Sequence, residues 1–387
     1  AQVRSHLGSS PPRVNFLFRS PSNHMHCQDA ALPGALLSLG FQDALARIKA
    51  DLLPGIEAAV DFRLHQACEP CDELVATYRA ALCGGKDWHW VVMKRIGASW
   101  RCRDPSLVWL DDKVAQVAGV AEVCGRELHL PILAHAPAGD AAAEAALRVA
   151  AAARAARGEP LVVKPRHGSN SKHVRLWPRP QDAGEAAVVA SVDEALTASD
   201  ESWRKESWNQ NAVRRGALLQ PLYAPMSPDA AVQVSRPLEL KVQVLFGKVA
   251  GGALSTHPGL LWVMRSGGIQ LWDREARSSW MRHRRLCRQE GQTLPDGALE
   301  TLQAALRGSW TMMCTVSEQL ATAVGLDELR VDWLLGDVHW GARIGELTYM
   351  GTCARPASTP LARAFAAAHL SRLDGDAVLD VFPIPTK

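Results

Sequence analysis

No stretch of this chain holds the roughly 18 consecutive apolar residues that a membrane helix needs. The Ala-rich run from Ala141 to Ala156 is broken by Glu144, Arg148 and Arg154, with Arg157 just beyond, so no membrane association is expected. A charge excess is missing too: 43 Lys and Arg against 40 Asp and Glu leave +3, and the total implies no polyelectrolyte partner. Nine cysteines, an odd number from Cys27 to Cys353, make no small-protein disulfide framework. Cys68-Glu-Pro-Cys71 has no second pair at zinc-ribbon spacing. The thiols read as free or structural ones in a reducing compartment, with the cytoplasm as the default location. The chain starts on Ala rather than Met, which points to a trimmed or processed start with any targeting segment upstream. A GxSxG elbow, a Walker GxxxxGK[ST] loop and the RNP, KH and zinc-finger patterns are all missing.

What is present is an ordinary globular composition, 47% hydrophobic and 21% charged over 387 residues, enough for two or three domains. Acidic residues interrupt apolar strand patterns twice near the C-terminal end, as Asp332 in Leu329-Arg-Val-Asp-Trp-Leu-Leu335 and as Glu346 in Ile344-Gly-Glu-Leu-Thr348. Gly336-Asp337 between them is a turn signal for a hairpin. Two carboxylates at the centre of a hairpin need compensation. Either they ligate a hard cation such as Mg²⁺, or they are structural acids paired with Arg330 and Arg343.

Upstream, the first forty residues read as a loosely ordered lead-in, and helical spacing covers Phe41 to Ala59 and Asp72 to Leu82. Trp88 to Trp109 mixes aromatics with basic residues, without a nucleic-acid motif to frame it. Asp140 caps an Ala-rich helix to Arg157 that Gly158 closes. Leu161-Val162-Val163 then runs as a strand into Lys164-Pro-Arg-His-Gly-Ser-Asn-Ser-Lys172, and extended sequence resumes at His173. Such a tip is either a lid over phosphates or a basic surface turn. A capping box predicts a helix from Ser191 to Ala198, and Ala217 to Tyr223 is a strand that Pro221 closes. In Leu238 to Phe246 the apolar residues alternate with Glu239, Lys241 and Gln243, a polar face that pattern alone assigns to solvent. Pro225 to Val232 is loop, and Met281 to Arg288 is a dense basic run. Leu299 to Val324 is predicted as one amphipathic helix that Gly308 loosens, and Pro360 to Leu370 as a last helix before a Pro-rich tail.

Taken in order, Asp112-Lys113, Val163-Lys-Pro-Arg-His-Gly-Ser169, Leu219-Gln-Pro-Leu222, Glu239-Leu-Lys241 with Phe246-Gly-Lys248, Leu329-Arg-Val-Asp332 and Gly345-Glu-Leu-Thr348 resemble the ATP-grasp superfamily. Thr348, where many of its enzymes carry Asn, makes the chain more similar to the TupA-like branch associated with teichuronopeptide synthesis. The resemblance covers roughly residues 111–352. It implies an α/β protein with an ATP-grasp fold, whose nucleotide cleft lies between two α+β subdomains, 111–224 and 225–375. Before them stands a substrate-related N-terminal region, 1–110, and after them a tail, 376–387.

By the same resemblance Lys113 and Lys164 contact ATP phosphates, His167, Gly168, Ser169, Asn170 and Ser171 close over them, and Gln220, Pro221 and Leu222 meet adenine. Glu239 and Lys241 face the nucleotide, Asp332 and Glu346 ligate Mg²⁺, and Arg330 with Lys164 carries the chemistry. The implied reaction is ATP- and Mg²⁺-dependent ligation of a carboxylate to an amine through an acylphosphate, on a small-molecule or peptide substrate, with no nucleic-acid partner. The oligomeric state has no signature in the sequence. Two other readings stay open: a small-molecule or glycan kinase on the same fold, and a nucleotide- or nucleic-acid-binding protein without turnover.

Overall fold

The computed structural model describes residues 71–82, 88–223, 238–255, 260–272, 298–349 and 365–370. Within them helices pack on two antiparallel sheets. The smaller sheet holds β1 (Ala134–Pro137), β2 (Leu161–Pro165), β3 (Arg175–Trp177) and β4 (Gly216–Pro221) in the order β1-β4-β2-β3. The larger holds β5 (Leu238–Leu245), β6 (Lys248–Ser255), β7 (Leu260–Met264), β8 (Ile269–Trp272), β9 (Glu328–Leu335) and β10 (Arg343–Thr348) in the order β10-β9-β5-β6-β7-β8.

Each sheet owns a core. Leu161, Val163 and Leu219 of the small sheet meet Leu147, Ala151 and Ala155 of helix Ala141–Ala156 and Val188, Val192 and Ala195 of helix Glu185–Thr197. The small alanines let these helices and the sheet approach closely, and Asp140 caps the first by accepting from the Ala143 amide at 3.1 Å, as expected. Under the large sheet, Val242, Val244, Val331 and Trp333 pack on Met313, Val316 and Leu320 of helix Trp310–Val324. The buried Trp333 indole donates to Ser317 Oγ at 3.1 Å, so its polar edge is satisfied inside the core.

Helix Lys113–Cys124 joins the two layers. Its Gln116 amide donates to Leu347 O at 3.1 Å and to Leu110 O, and its Oε1 accepts from Leu347 N at 3.0 Å. A single side chain thereby serves the free edge of β10 as a neighbouring strand would. Arg95, on helix Trp88–Cys102, closes the other flank. It is 1% exposed and forms a paired contact with Asp327, both bonds at 3.0 Å, and further contacts to Glu328 at 3.3 Å and Tyr78 Oη at 3.3 Å. His369 stacks on Tyr78 and completes this buried group.

Four local expectations change. The predicted helix Leu299 to Val324 is two, Ala298–Arg307 and Trp310–Val324, because the chain breaks at Gly308-Ser309. Ser191 is no cap: its helix starts at Glu185 behind Gly184 (φ 83°), and the Ser191 hydroxyl donates to Val188 O while accepting from the Trp177 indole. The carboxylate hairpin closes through a longer loop over residues 336–342, where Asp337 accepts from the His339 and Trp340 amides. Cys102 is disulfide-bonded, against the expectation of free thiols, whereas Cys124 and Cys314 are free.

Helix Cys71–Leu82 agrees with its expectation, and residues 365–370 of the last predicted helix are helical. The lead-in, the helix over Phe41 to Ala59, Cys68 of the CxxC, the Pro225 to Val232 loop, the Met281 to Arg288 run and the tail lie outside the described residues. Among the described residues no helix is long and apolar enough to cross a membrane.

Candidate active site

Strand register gathers the charged residues. β5 pairs with β9 so that Lys241 stands opposite Asp332, and β9 pairs with β10 so that Asp332 stands opposite Glu346. Opposite residues of an antiparallel pair share a face, which makes Lys241, Asp332 and Glu346 one transverse row. An irregularity in β10 between Ile344 and Glu346, at Gly345, puts Glu346 in that row. The neighbouring row is Gln243, Arg330 and Thr348. The face that pattern assigned to solvent is therefore enclosed in part: Gln243 is fully buried, and Lys241 is 26% exposed. The physical reason is that other elements cover the sheet here, which alternation within one strand cannot register.

Asp332 is fully buried and carries its compensation with it. Oδ1 accepts from Arg330 Nε at 2.6 Å, and Oδ2 accepts from Arg330 Nη2 at 2.8 Å and from Lys241 Nζ at 2.7 Å. Burial alone would raise this carboxyl, but the two cations outweigh it and hold it below the usual range. Glu239 lies 3.0 Å from Lys241, and burial and the Asp332 charge push its carboxyl up, although its side chain is 42% exposed and water screens the effect. Thr348 Oγ1 accepts from Arg330 at 3.2 Å and fixes the guanidinium plane. Arg343, the other candidate partner for the acids, instead donates to its neighbour's carbonyl at Ala342.

The small sheet and helix Lys113–Cys124 supply the opposite wall. Lys113 Nζ lies 3.9 Å from Glu346 and donates to Gly168 O at 2.6 Å. Arg166 and Asp112 form a two-pronged pair that fixes the chain just before Lys113. Lys164, on β2, is pushed down to about 8, first by burial and then by Lys113, while Glu346 and Glu239 pull the other way. These influences put the β2 lysine in the field of the carboxylates on the large sheet.

Three further groups share this environment. Burial and the Glu346 charge push the Asp111 carboxyl up to about 8, and its Oδ2 has no hydrogen-bond partner among the described residues. Burial and Lys164 push His129 down to about 3, so its imidazole is neutral, and Nε2 likewise has no partner there. Both amide atoms of Gln243 are in the same condition.

The expected lid is an ordered turn. Gly168 takes φ 87° against the Trp203 ring, where a Cβ would stand 2.5 Å from a ring carbon, so both conformation and space require glycine. Asn170 and Ser171 follow in the left-handed region with φ 61° and 54°. Ser169 Oγ and Asn170 Nδ2 both donate to Glu206 Oε1, at 3.2 and 3.3 Å, and the Trp203 indole donates to Ser169 O. His167 is turned to backbone: Gly216 N donates to Nδ1 at 3.4 Å, which leaves Nε2 to donate to Ala198 O at 3.0 Å. Burial lowers its pKa, in keeping with that neutral ring.

At the far end of β4, the Gln220 amide donates to Leu130 O at 2.9 Å, and Leu222 N donates to Pro160 O at 3.3 Å. Tyr223 Oη donates to Gly341 O at 2.8 Å and accepts from Asp337 N at 3.1 Å, which ties this end of β4 to the β9-β10 loop.

Several solved proteins align with part of the chain. D-cycloserine synthetase DcsG aligns at TM-score 0.39 and 19% identity, over 68% of this chain and 71% of its own. The ATP-grasp ligase PsnB, solved with a precursor variant, Mg and ADP, aligns at 0.31 and 14%, over 67% and 57%. Biotin carboxylase from Campylobacter jejuni aligns at 0.36 and 14%, over 70% and 48%. Likeness this distant does not say what the present chain binds. No protein-family model and no curated protein matches the chain.

The register thus brings Lys241, Asp332, Glu346, Arg330 and Glu239 together, with Lys113 and Lys164 in their field. His167 is engaged by the backbone of Ala198 and Gly216 instead, and the side chains of Ser169 and Asn170 by Glu206. Sequence reading passed over Asp111, His129, Gln243 and Tyr223. Asp111 belonged to a visible acidic pair, and Gln243 to a visible polar face. His129, between two leucines, and Tyr223, after a proline, carried no signal of their own.

Proposed function

We propose that the chain is an ATP- and Mg²⁺-dependent carboxylate-amine ligase of the ATP-grasp type, with its cleft between subdomains 111–224 and 225–375. The observation that carries this reading is the alternation of charge across three paired strands, Lys241 beside Asp332 beside Glu346, with Arg330 in the next row and Lys113 and Lys164 across from them. Cations and carboxylates interleaved at one partly buried place suit a polyanion that arrives with a divalent metal.

Among the described residues no group of three or more His, Cys, Asp or Glu side chains is arranged to hold a metal by itself. The Asp332 and Glu346 pair fits a cation that brings water and phosphate ligands, as Mg²⁺ does. These two acids would hold it. Asp332 is already neutralised by Arg330 and Lys241, so metal at Asp332 would release both cations to phosphate oxygens, and total pairing would be conserved. ATP·Mg²⁺ would supply the γ-phosphoryl group that turns a substrate carboxylate into an acylphosphate with release of ADP, and an amine would then attack the acyl carbon and expel phosphate.

In this reading Arg330, oriented by Thr348, stabilises the charge that develops on the transferred group, and Lys164 and Lys113 neutralise phosphates. Gly168 to Ser171 form the turn above them, and Gln220 to Leu222 meet adenine through backbone groups. The substrate carries a carboxylate and an amine, and Thr348 after Glu346 favours the TupA-like branch.

The test is a phosphate-release screen with ATP·Mg²⁺ over amino acids, short peptides and uronic acids. Phosphate formed in proportion to an amide product supports the ligase, and a stable phosphoester would replace it with a kinase. Retained turnover in both Asp332→Asn and Glu346→Gln would sink the metal assignment.

A further inference from the structure

A second concavity lies behind the lid turn, away from the transverse rows of the large sheet. It is a cavity of about 380 Å³ walled by His167 and Gly168, by the segment that follows helix Glu185–Thr197, and by the segment that leads into β4. That volume falls in the range of small-molecule sites. Its side chains are biased towards hydrogen-bond donation. Arg204 and Arg215 are exposed cations on its wall with no ion pair among the described residues. Gln210 is 9% exposed, and its Nε2 has no acceptor among the described residues, so a buried donor is left over in the wall of a cavity.

Acceptors on the same wall are fewer or already engaged. Asp200 is paired with Lys172 at 2.6 Å and accepts from the Ser202 hydroxyl and amide, which leaves Glu201 as the one uncommitted carboxylate of the wall. Trp203 and Val213, both largely buried, add an apolar surface.

We propose that this cavity is a second ligand site, which takes a small organic acid: its carboxylate lies against Arg204 and Arg215, and its carbon body against Trp203 and Val213. An arginine fork matches a carboxylate in two-pronged geometry. The apolar wall favours an organic acid over inorganic phosphate, which has no surface to place there. Gly168 is shared with the cleft, since its carbonyl accepts from Lys113 while its Cα packs on Trp203. An occupant of the cavity therefore touches the same turn that the Lys113 ammonium holds, and acid binding and the position of the turn are linked.

Titration of the full chain with benzoate and with succinate, followed by saturation-transfer NMR and calorimetry without nucleotide, tests this directly. Saturable binding of at least one acid is expected. Arg215→Ala and Arg204→Ala are each expected to weaken it at least about tenfold, whereas Lys241→Ala in the cleft leaves it unchanged. Both arginines are solvent-exposed, so their removal leaves the fold in place, and Arg215→Lys, which keeps charge but loses the fork, should fall between. Three results would overturn the proposal: no saturable binding of either acid up to about 10 mM, loss of binding in Lys241→Ala with retention in Arg215→Ala, or equal affinity for inorganic phosphate. No step uses ATP, so the outcome is independent of the ligase reading.

Discussion

Two buried clusters of opposite charge stand a few residues apart along the same stretch of chain, and they are built to different ends. Around Arg95, the partners Asp327 and Glu328 are 1% and 3% exposed, and the aromatic rings of Tyr78 and His369 seal the group. Around Asp332 the carboxylate is equally buried, but its cations Arg330 and Lys241 are 12% and 26% exposed. The sealed cluster has nowhere to send its charges and works as scaffold. The other keeps its two cations within reach of solvent, so the same chemical ingredients are left open on one side.

The largest effect should come from breaking the sealed cluster. Arg95→Met leaves two buried acids without their cation and should lower stability by about 3–5 kcal/mol, read by urea unfolding. Lys241→Met in the open cluster should cost far less stability, because Arg330 still holds Asp332. Turnover in a positive well of the substrate screen should nevertheless drop by about 100-fold or more. Similar stability losses in the two variants would erase the contrast.

Placing a Cβ at Gly168 sharpens the comparison from the opposite wall. Gly168→Ala meets Trp203 and a positive φ, and should cost about 1–3 kcal/mol in thermal unfolding while displacing the lid turn. Next comes pH. His129 is depressed to about 3, so between about 3 and the ordinary histidine value near 6.5 the unfolded chain binds a proton that the folded chain refuses. Its contribution is fully present above about 6.5 and is lost as pH falls through that window. Asp111, raised to about 8, acts with the opposite sign from about 4 to about 8, since there the folded state holds the proton. The pH slopes of stability in His129→Gln and Asp111→Asn should therefore depart from the parent in opposite senses near pH 5. The smallest effect belongs to the exposed Lys94 and Glu73 pair at 3.5 Å, where Lys94→Ala should change stability by less than about 0.5 kcal/mol.

What the sequence made legible follows the range of the interactions concerned. The Asp140 cap, the β2 strand, the alternation of β5 and the two acid-bearing strands are local signals, and all appear in the structure. The split at Gly308 was signalled in part by the glycine itself, whereas the start of the Glu185 helix behind Gly184 was missed for a capping-box pattern at Ser191 that the structure does not use. Asp332 illustrates the division well. Its presence in a strand is readable, and so is Arg330 two residues before it. That Lys241, some ninety positions away, stands in register beside it is a fact of β5-β9 pairing that no local pattern carries. The Arg95 cluster joins four separate segments and was invisible for the same reason.

The Tyr223 contact to the β9-β10 loop has a mechanical consequence. β2 and β4 run antiparallel, so Tyr223 follows one end of β4 while the turn at Gly168 follows the end of β2 beside the other. One end of the small sheet is thus pinned to the large sheet by a phenol, and the other is tied to the start of helix Lys113–Cys124 by the Arg166 and Asp112 pair, by the Lys113 amide on Arg166 O and by the Lys113 ammonium on Gly168 O. The Gly168 turn therefore follows the start of that helix, and the Tyr223 end follows the β9-β10 loop.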